Sequence, residues 1–429
     1  MARDVNYHPV LYYCGNAGCI QSYTAIKGIR LKHSHFILYI VVALIGFSIV
    51  TVYSTDLATF GAGGKNYQLT KHLLWILMGS ILLITMAKID YHYLQKLRIP
   101  ILVISFALLL LVLIPGIGTV TNGARRWIRL GHTLGIQPSE FAKLAVIIFV
   151  SGYIAKNQSH MSKFKCGFMI PIVIVAVTGA LIIKEPDFGS AAFITILSII
   201  MLIVGGTRFI YVFFTILATV PFLHKMLFEV SYRKDRLMAF MDPWQDPSGT
   251  GYHVIQSWIA LGSGGLTGLG VGSSKQKLFF LPESSSDFIF TIIGEEFGFI
   301  GVLVIICLFL LLIWQGLKIV HATKDVFGFF LGFGITVMFG LQAIINIAVV
   351  SGIVPTKGIP LPFVSSGGSS LLFSMIGIGI LINIARQSLA SDTLNLHVNI
   401  EPTEDNVGRL LPVRFWHNIT SKIAGFSWR

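Results

Sequence analysis

Ten apolar runs recur along the chain, near residues 36 to 53, 72 to 88, 99 to 115, 138 to 155, 168 to 184, 188 to 205, 209 to 227, 287 to 315, 327 to 350 and 368 to 385. Most approach the about 20 residues that carry an α-helix across the hydrocarbon core of a bilayer. Lipid offers no partner to a backbone N–H or C=O, so a run of this kind must satisfy its own hydrogen bonds as a helix. The pattern predicts an all-α polytopic membrane protein with about ten spans. The fifth and sixth runs are separated only by Lys184, Glu185, Pro186 and Asp187. A proline with two acids marks an interfacial turn rather than the middle of one long helix.

With 54% hydrophobic and 12% charged residues, the chain is not an ordinary soluble domain. Its net charge of +13 is spread over short loops between apolar runs, as lipid headgroups and topology require, and does not argue for nucleic acid. Cys14, Cys19, Cys166 and Cys307 form no disulfide frame. Cys14 and Cys19 have no second ligand pair to complete a zinc site. No small-residue cleavage site follows the first run, which reads as a retained helix rather than a signal peptide.

An even number of spans puts both tails, residues 1–33 and 388–429, on one side of a transmembrane domain spanning 34–387. The loops with Lys88, Lys96 and Arg98, with Lys156, Lys163 and Lys165, with Arg208, and with Lys318 and Lys324 belong to the same side, which the positive-inside rule assigns to the cytoplasm. The opposite loops, 54–71, 116–137, 228–286 and 351–367, nevertheless hold Arg125, Arg126, Arg129, Lys275, Lys277 and Lys357. An anionic ligand at the outer face accounts for that excess. The 228–286 loop, between the seventh and eighth spans, carries Trp244, Tyr252 and Trp258, which suit an ordered interfacial structure.

Asp287 stands at the mouth of the eighth run, where an ionisable residue marks a functional site. The structural alternative is an N-cap that bonds the first N–H groups of the helix. Glu295 falls about 80° from Asp287 around a helix and Glu296 on the opposite face, so Glu296 is expected to pair with a neighbouring helix. Gly262 to Gly272 could cradle phosphate, but no strand precedes this stretch and no GKS or GKT ends it. Backbone approach or a re-entrant turn is the favoured reading. GARRWIRLG, residues 123–131, reads either as an interfacial belt or as a diphosphate clamp, with Glu185 and Asp187 as partners for its arginines. Gln342 and Asn346, one turn apart, are expected to bond another helix.

Taken in order, GARRWIRLG, QPSEFAKL, EPDFGSA, SKQKLFFLPE with DFIFTIIGEE, and PTKGIPLPFVSSGGSS resemble the hallmark segments of the SEDS family (shape, elongation, division and sporulation) over residues 35–387. The wording of PTKGIPLPF and QPSEFAKL is similar to the division branch. The resemblance implies ten transmembrane helices in the bacterial inner membrane, with both termini cytoplasmic and a place at the division septum. It also implies peptidoglycan glycosyltransferase activity on lipid II, in complex with a class B penicillin-binding protein and other division proteins. The family's essential aspartate maps to Asp287, its arginine-tryptophan motif to Arg125, Arg126 and Trp127, and its outer-loop lysine to Lys357. Where the family commonly reads Ala-His-Thr before the aspartate, this chain has Ser284, Ser285 and Ser286, and Ser366 stands for its usual tyrosine.

On this reading Asp287 is the base for the acceptor hydroxyl, and substrate contacts come from Arg125, Arg126, Trp127, Lys275, Lys277, Glu283, Lys357 and Ser365. A divalent cation, Mg²⁺ or Mn²⁺, would bridge Asp287 or Glu283 to the diphosphate; no organic cofactor is expected. The rival readings are a flippase for the same lipid and a scaffold without catalysis. A flippase needs polar groups spread across the midplane, whereas the charges here crowd the outer edge.

Overall fold

The structure is a computed structural model that describes residues 35–56, 67–121, 123–130, 134–228, 238–277, 286–355 and 358–398. The candidates Glu283 and Lys357, and both predicted tails apart from the start of the second, lie outside the described residues. Eleven helices matter for the site: α1 (His35–Asp56), α2 (Tyr67–Lys88), α3 (Arg98–Leu113), α4 (Pro138–Lys156), α5 (Ile170–Lys184), α6 (Phe188–Val204), α7 (Phe209–Phe228), α8 (Tyr252–Ser263), α9 (Ile289–Ala322), α10 (Val326–Val350) and α11 (Gly368–Val398). Every apolar run carries one of them, and α8 lies within the long 228–286 segment. Seven helices are long and apolar enough to cross a membrane, while α3, α6 and α7 are shorter apolar helices.

Residues 35 to 388 belong to one compact unit. Its centre is α4, buried on nearly every face from Pro138 to Ile154. Peripheral helices do the opposite: α2 turns Leu77, Ile81 and Ile84 outward at helical spacing, a stripe suited to lipid tails. Asp187 caps α6 by accepting from Ser190 N at 3.1 Å, so the turn predicted between the fifth and sixth runs is real and has a local cause.

Two features depart from a purely helical expectation. The segment after α3 folds into an antiparallel sheet in the order β1 (Gly118–Thr121), β2 (Ala124–Leu130) and β3 (Leu134–Ile136). The arginine motif is therefore a strand, and its register against β1 shifts between Thr119 and Val120, which leaves Arg126 as the extra residue beside Arg125.

The second departure is a break in α9 at Gly298, whose φ of +66 and ψ of −162 are not helical. The glycine-rich segment after α8 crosses the break and replaces the lost helical hydrogen bonds. Leu269 N and Gly270 N donate to the carbonyls of Glu295 and Glu296, while Phe299 N and Ile300 N donate to those of Gly265 and Leu266, all at 2.9–3.2 Å. Gly268, at φ +82, approaches so closely that a Cβ there would lie 2.1 Å from the Glu296 oxygen. Only glycine tolerates that conformation and that contact. The glycines serve backbone approach, as expected, and form a strap across a discontinuous helix.

Candidate active site

The helix α9 begins at Ile289 with Phe288 at its N-cap position, so Asp287 is not the cap that one sequence reading offered. Asp287 sits in the preceding turn, half-buried, and its main chain is held from two directions. Asn346 of α10 splits one side-chain amide between the carbonyls of Asp287 and Ile359, both at 2.9 Å. Ser365 Oγ donates to the Ser286 carbonyl at 2.6 Å and accepts from Leu361 N at 2.8 Å. Ser48 of α1 donates to the Val364 carbonyl at 2.7 Å and also meets His72 Nε2 at 2.7 Å. Within this turn Phe363 is buried at φ +64, a left-handed conformation that costs a non-glycine residue about 1–2 kcal/mol. Strain of this kind persists where the surroundings over-determine the backbone.

Gly358 faces the carboxylate directly: a Cβ built on it would lie 2.8 Å from Asp287 Oδ2. Gly358→Val is therefore expected to push the carboxylate aside and lower activity by about 10²-fold, the scale of a misplaced reacting group. Thermal unfolding should change little because Gly358 is exposed. Wild-type turnover in Gly358→Val would contradict this contact.

Gly358, Ile359 and Pro360 line one crevice with Glu140, Lys143, Ser190 and Phe193. Glu140 and Lys143 sit one turn apart on α4 and form a buried ion pair at 2.7 Å, with the ammonium 5.2 Å from the centre of the Phe193 ring. The EPD turn lies alongside. Asp187 accepts from Ser190 Oγ at 2.7 Å and from Gln137 Nε2 at 3.3 Å. Arg126 donates to the main-chain carbonyls of Glu185, at 3.1 Å, and Pro186. The expected partnership between this arginine and the acids thus runs through carbonyls rather than carboxylates.

Glu185 is fully buried, and neither of its carboxylate oxygens has a hydrogen-bond partner among the described residues. Burial pushes its carboxyl up from an ordinary 4.5 to about 8; Asp187 adds to the rise and Arg126 opposes it. Between those two values the folded chain holds a proton that the unfolded chain has lost. Stability therefore falls as pH rises through the window and levels off above about 8. Glu185→Gln is expected to flatten that decline in thermal midpoints measured across the window, and a wild-type slope in the variant would refute the assignment.

A family model described as a cell cycle protein and named for FtsW, RodA and SpoVE matches residues 34–390. The chain belongs to the FtsW, RodA and SpoVE family. The probable peptidoglycan glycosyltransferase FtsW of Trichlorobacter lovleyi is 44% identical over 84% of this chain and 95% of its own length. Its counterpart in Geobacter metallireducens is 42% identical over 82% of this chain and 95% of its own. One chain of a solved peptidoglycan synthase complex aligns with a TM-score of 0.68 and 26% identity, over 82% of this chain and 97% of that one.

In this FtsW-like chain, the candidate residues fall into three groups. Asp287 and Ser365 lie together, and Arg126 reaches the EPD turn beside the crevice of Glu140, Lys143 and Gly358. Arg125 instead turns to the carbonyl at the end of α3, donating to Leu113 O at 3.3 Å, and Trp127 lies half-buried over Gly135 of the sheet. Lys275 is exposed, while its main-chain N–H bonds Glu295 at 2.9 Å. Lys277 is buried, with its ammonium 3.1 Å from Glu296 Oε1 and 3.0 Å from Ser54 Oγ, and so serves as an ion-pair partner. Glu296 thus pairs toward α1, as its position on the helix predicted. Among the described residues no three His, Cys, Asp or Glu gather as a metal site.

Three contributors were missed in the sequence. Asn346 was assigned to another helix but clamps two loops, a choice of partner that spacing does not encode. Glu140 and Lys143 were visible only as an i, i+3 pair of opposite charge inside an apolar run, which was itself a usable signal.

Proposed function

We propose that this chain is a peptidoglycan glycosyltransferase that polymerises lipid II at the outer face of the bacterial inner membrane during cell division. The observation that carries the reading is the approach of the Asp287 carboxylate to Gly358, whose segment through Pro360 also faces the buried Glu140–Lys143 pair, in a chain whose relatives are named for this activity. In the transfer, an acceptor hydroxyl attacks the anomeric carbon of the donor sugar, and the bond to the lipid diphosphate breaks. The hydroxyl proton needs a base, and the departing diphosphate needs positive charge. Asp287 is the base. Arg126, Lys275 and Lys357 are the diphosphate contacts.

Clamping the main chain at residues 286 and 287 fixes the backbone from which the carboxylate projects before substrate arrives, which lowers the ordering cost during reaction. A divalent cation is the second proposed role for Asp287. A single protein carboxylate suits Mg²⁺, which keeps several waters and takes its other ligands from phosphate oxygens. Chelation is expected to slow polymerisation more than about tenfold, with recovery on adding Mg²⁺ or Mn²⁺; full activity in chelator would remove the cation from the account. The proposed partner is a class B penicillin-binding protein, whose transpeptidase would crosslink the strands. The proposed orientation has both termini in the cytoplasm, and the proposed location is the division septum.

Vesicles containing the chain, its partner and labelled lipid II test the function against lipid translocation. Polymer without net movement of unpolymerised lipid supports the transferase. Translocation without polymer contradicts it.

A further inference from the structure

A second site lies at the other end of the bundle. An open cleft of about 390 Å³ is lined by Gln95, Lys96, Arg98, Ile99 and Lys156. Its place follows from the helices: α3 ends at Leu113 beside the sheet, and α4 starts at Pro138 beside the crevice lined by Glu140 and Gly358, so Arg98 and Lys156 mark their far ends. On α4, Glu140 of the first crevice and Lys156 of this cleft are sixteen residues apart, about 24 Å at 1.5 Å per residue, so the two sites lie near opposite ends of one helix.

Three cations and one amide line this cleft without a carboxylate. Asp90, the acid of the same linker, is taken up by His92 N at 2.9 Å, His92 Nδ1 at 2.7 Å and Gln387 Nε2 at 2.9 Å. Like charges brought together this way repel one another unless an anion joins them. Arg98 is also set in place. Its Nη1 donates to the Gly152 carbonyl at 3.1 Å, and its Cδ occupies space that a Cβ on residue 152 would enter at 2.8 Å. The remaining guanidinium N–H groups offer the planar fork that suits phosphate oxygens.

The surroundings separate a lipid from a free anion. Tyr93, Leu97, Ile99 and Val103 are 48–57% exposed beside the cations, and they continue down the outer face of α3. A dissolved phosphate gains nothing from that lip, whereas acyl chains would cover it. We propose that this cleft binds the phosphate headgroup of an anionic membrane phospholipid, with its chains along α3. The site is separate from the transfer chemistry and rests only on the membrane-spanning reading of the helices.

Native mass spectrometry of the full chain in detergent, titrated with phosphatidylglycerol, tests this. Lys96→Gln with Lys156→Gln removes two exposed cations of the cleft and leaves Arg98 seated. Lys163→Gln with Lys165→Gln removes the same charge from a nearby loop outside it. The first pair is expected to weaken lipid binding about tenfold, and the second less than about twofold. Phosphatidylcholine should bind less than phosphatidylglycerol, and millimolar inorganic phosphate should not displace the bound lipid. Equal losses in the two double variants, no loss in the first, equal binding of phosphatidylcholine, or displacement by inorganic phosphate would each overturn the proposal. Matching thermal midpoints for both double variants exclude misfolding as the cause of any difference.

Discussion

Asp287→Asn is expected to fold and insert as the wild type does and to lose polymerisation by about 10²–10⁴-fold, the range a positioned acid–base group contributes. The substitution keeps the shape of the side chain and removes its basicity. The contacts that fix the turn act on main-chain carbonyls: Asn346 holds those of Asp287 and Ile359, and Ser365 holds that of Ser286. None of them is lost in the variant. Phe288 occupies the N-cap position, so Asp287 is not the capping residue of helix α9. The defect should therefore lie in turnover, with abundance and thermal midpoint close to wild type. A variant that loses activity only because it is degraded would place Asp287 in the scaffold instead.

Glu296→Ala should destabilise the chain by about 3–5 kcal/mol, because it strands the Lys277 ammonium in a site where both side chains are almost wholly buried. Glu296 Oε1 also accepts from Ser54 Oγ of α1 and from Gly272 N at 3.2 Å. One carboxylate thus joins α1, the glycine strap and the broken helix. Replacing both charges, Lys277→Met with Glu296→Gln, should recover much of the loss, since the cost comes from the unpaired charge more than from the missing bond. Thermal unfolding of the wild type, Lys277→Met, Glu296→Gln and the double variant forms a cycle. Additive losses would mean that the two residues are not coupled.

The helical runs were legible because lipid forces each segment to satisfy its own backbone, which leaves an apolar signature about 20 residues long. Asp287 was legible for the related reason that charge at the mouth of such a run is costly. The sheet was not: β2 is seven residues with three arginines, and its stability comes from β1 and β3 rather than from an apolar alternation of its own. The break at Gly298 was hidden because glycine is ordinary inside membrane helices, and only the approach of Gly268 gives it meaning. Lys277 was read as a substrate contact because its partner Glu296 is nineteen residues away in sequence, beyond any local spacing rule.

The most direct measurement of the central claim is polymer formation from purified lipid II by the chain together with a class B penicillin-binding protein, run beside Asp287→Asn. The account predicts glycan polymer from the wild type and none above background from a folded variant. Equal polymer from both, or none from a folded wild-type complex, would contradict it.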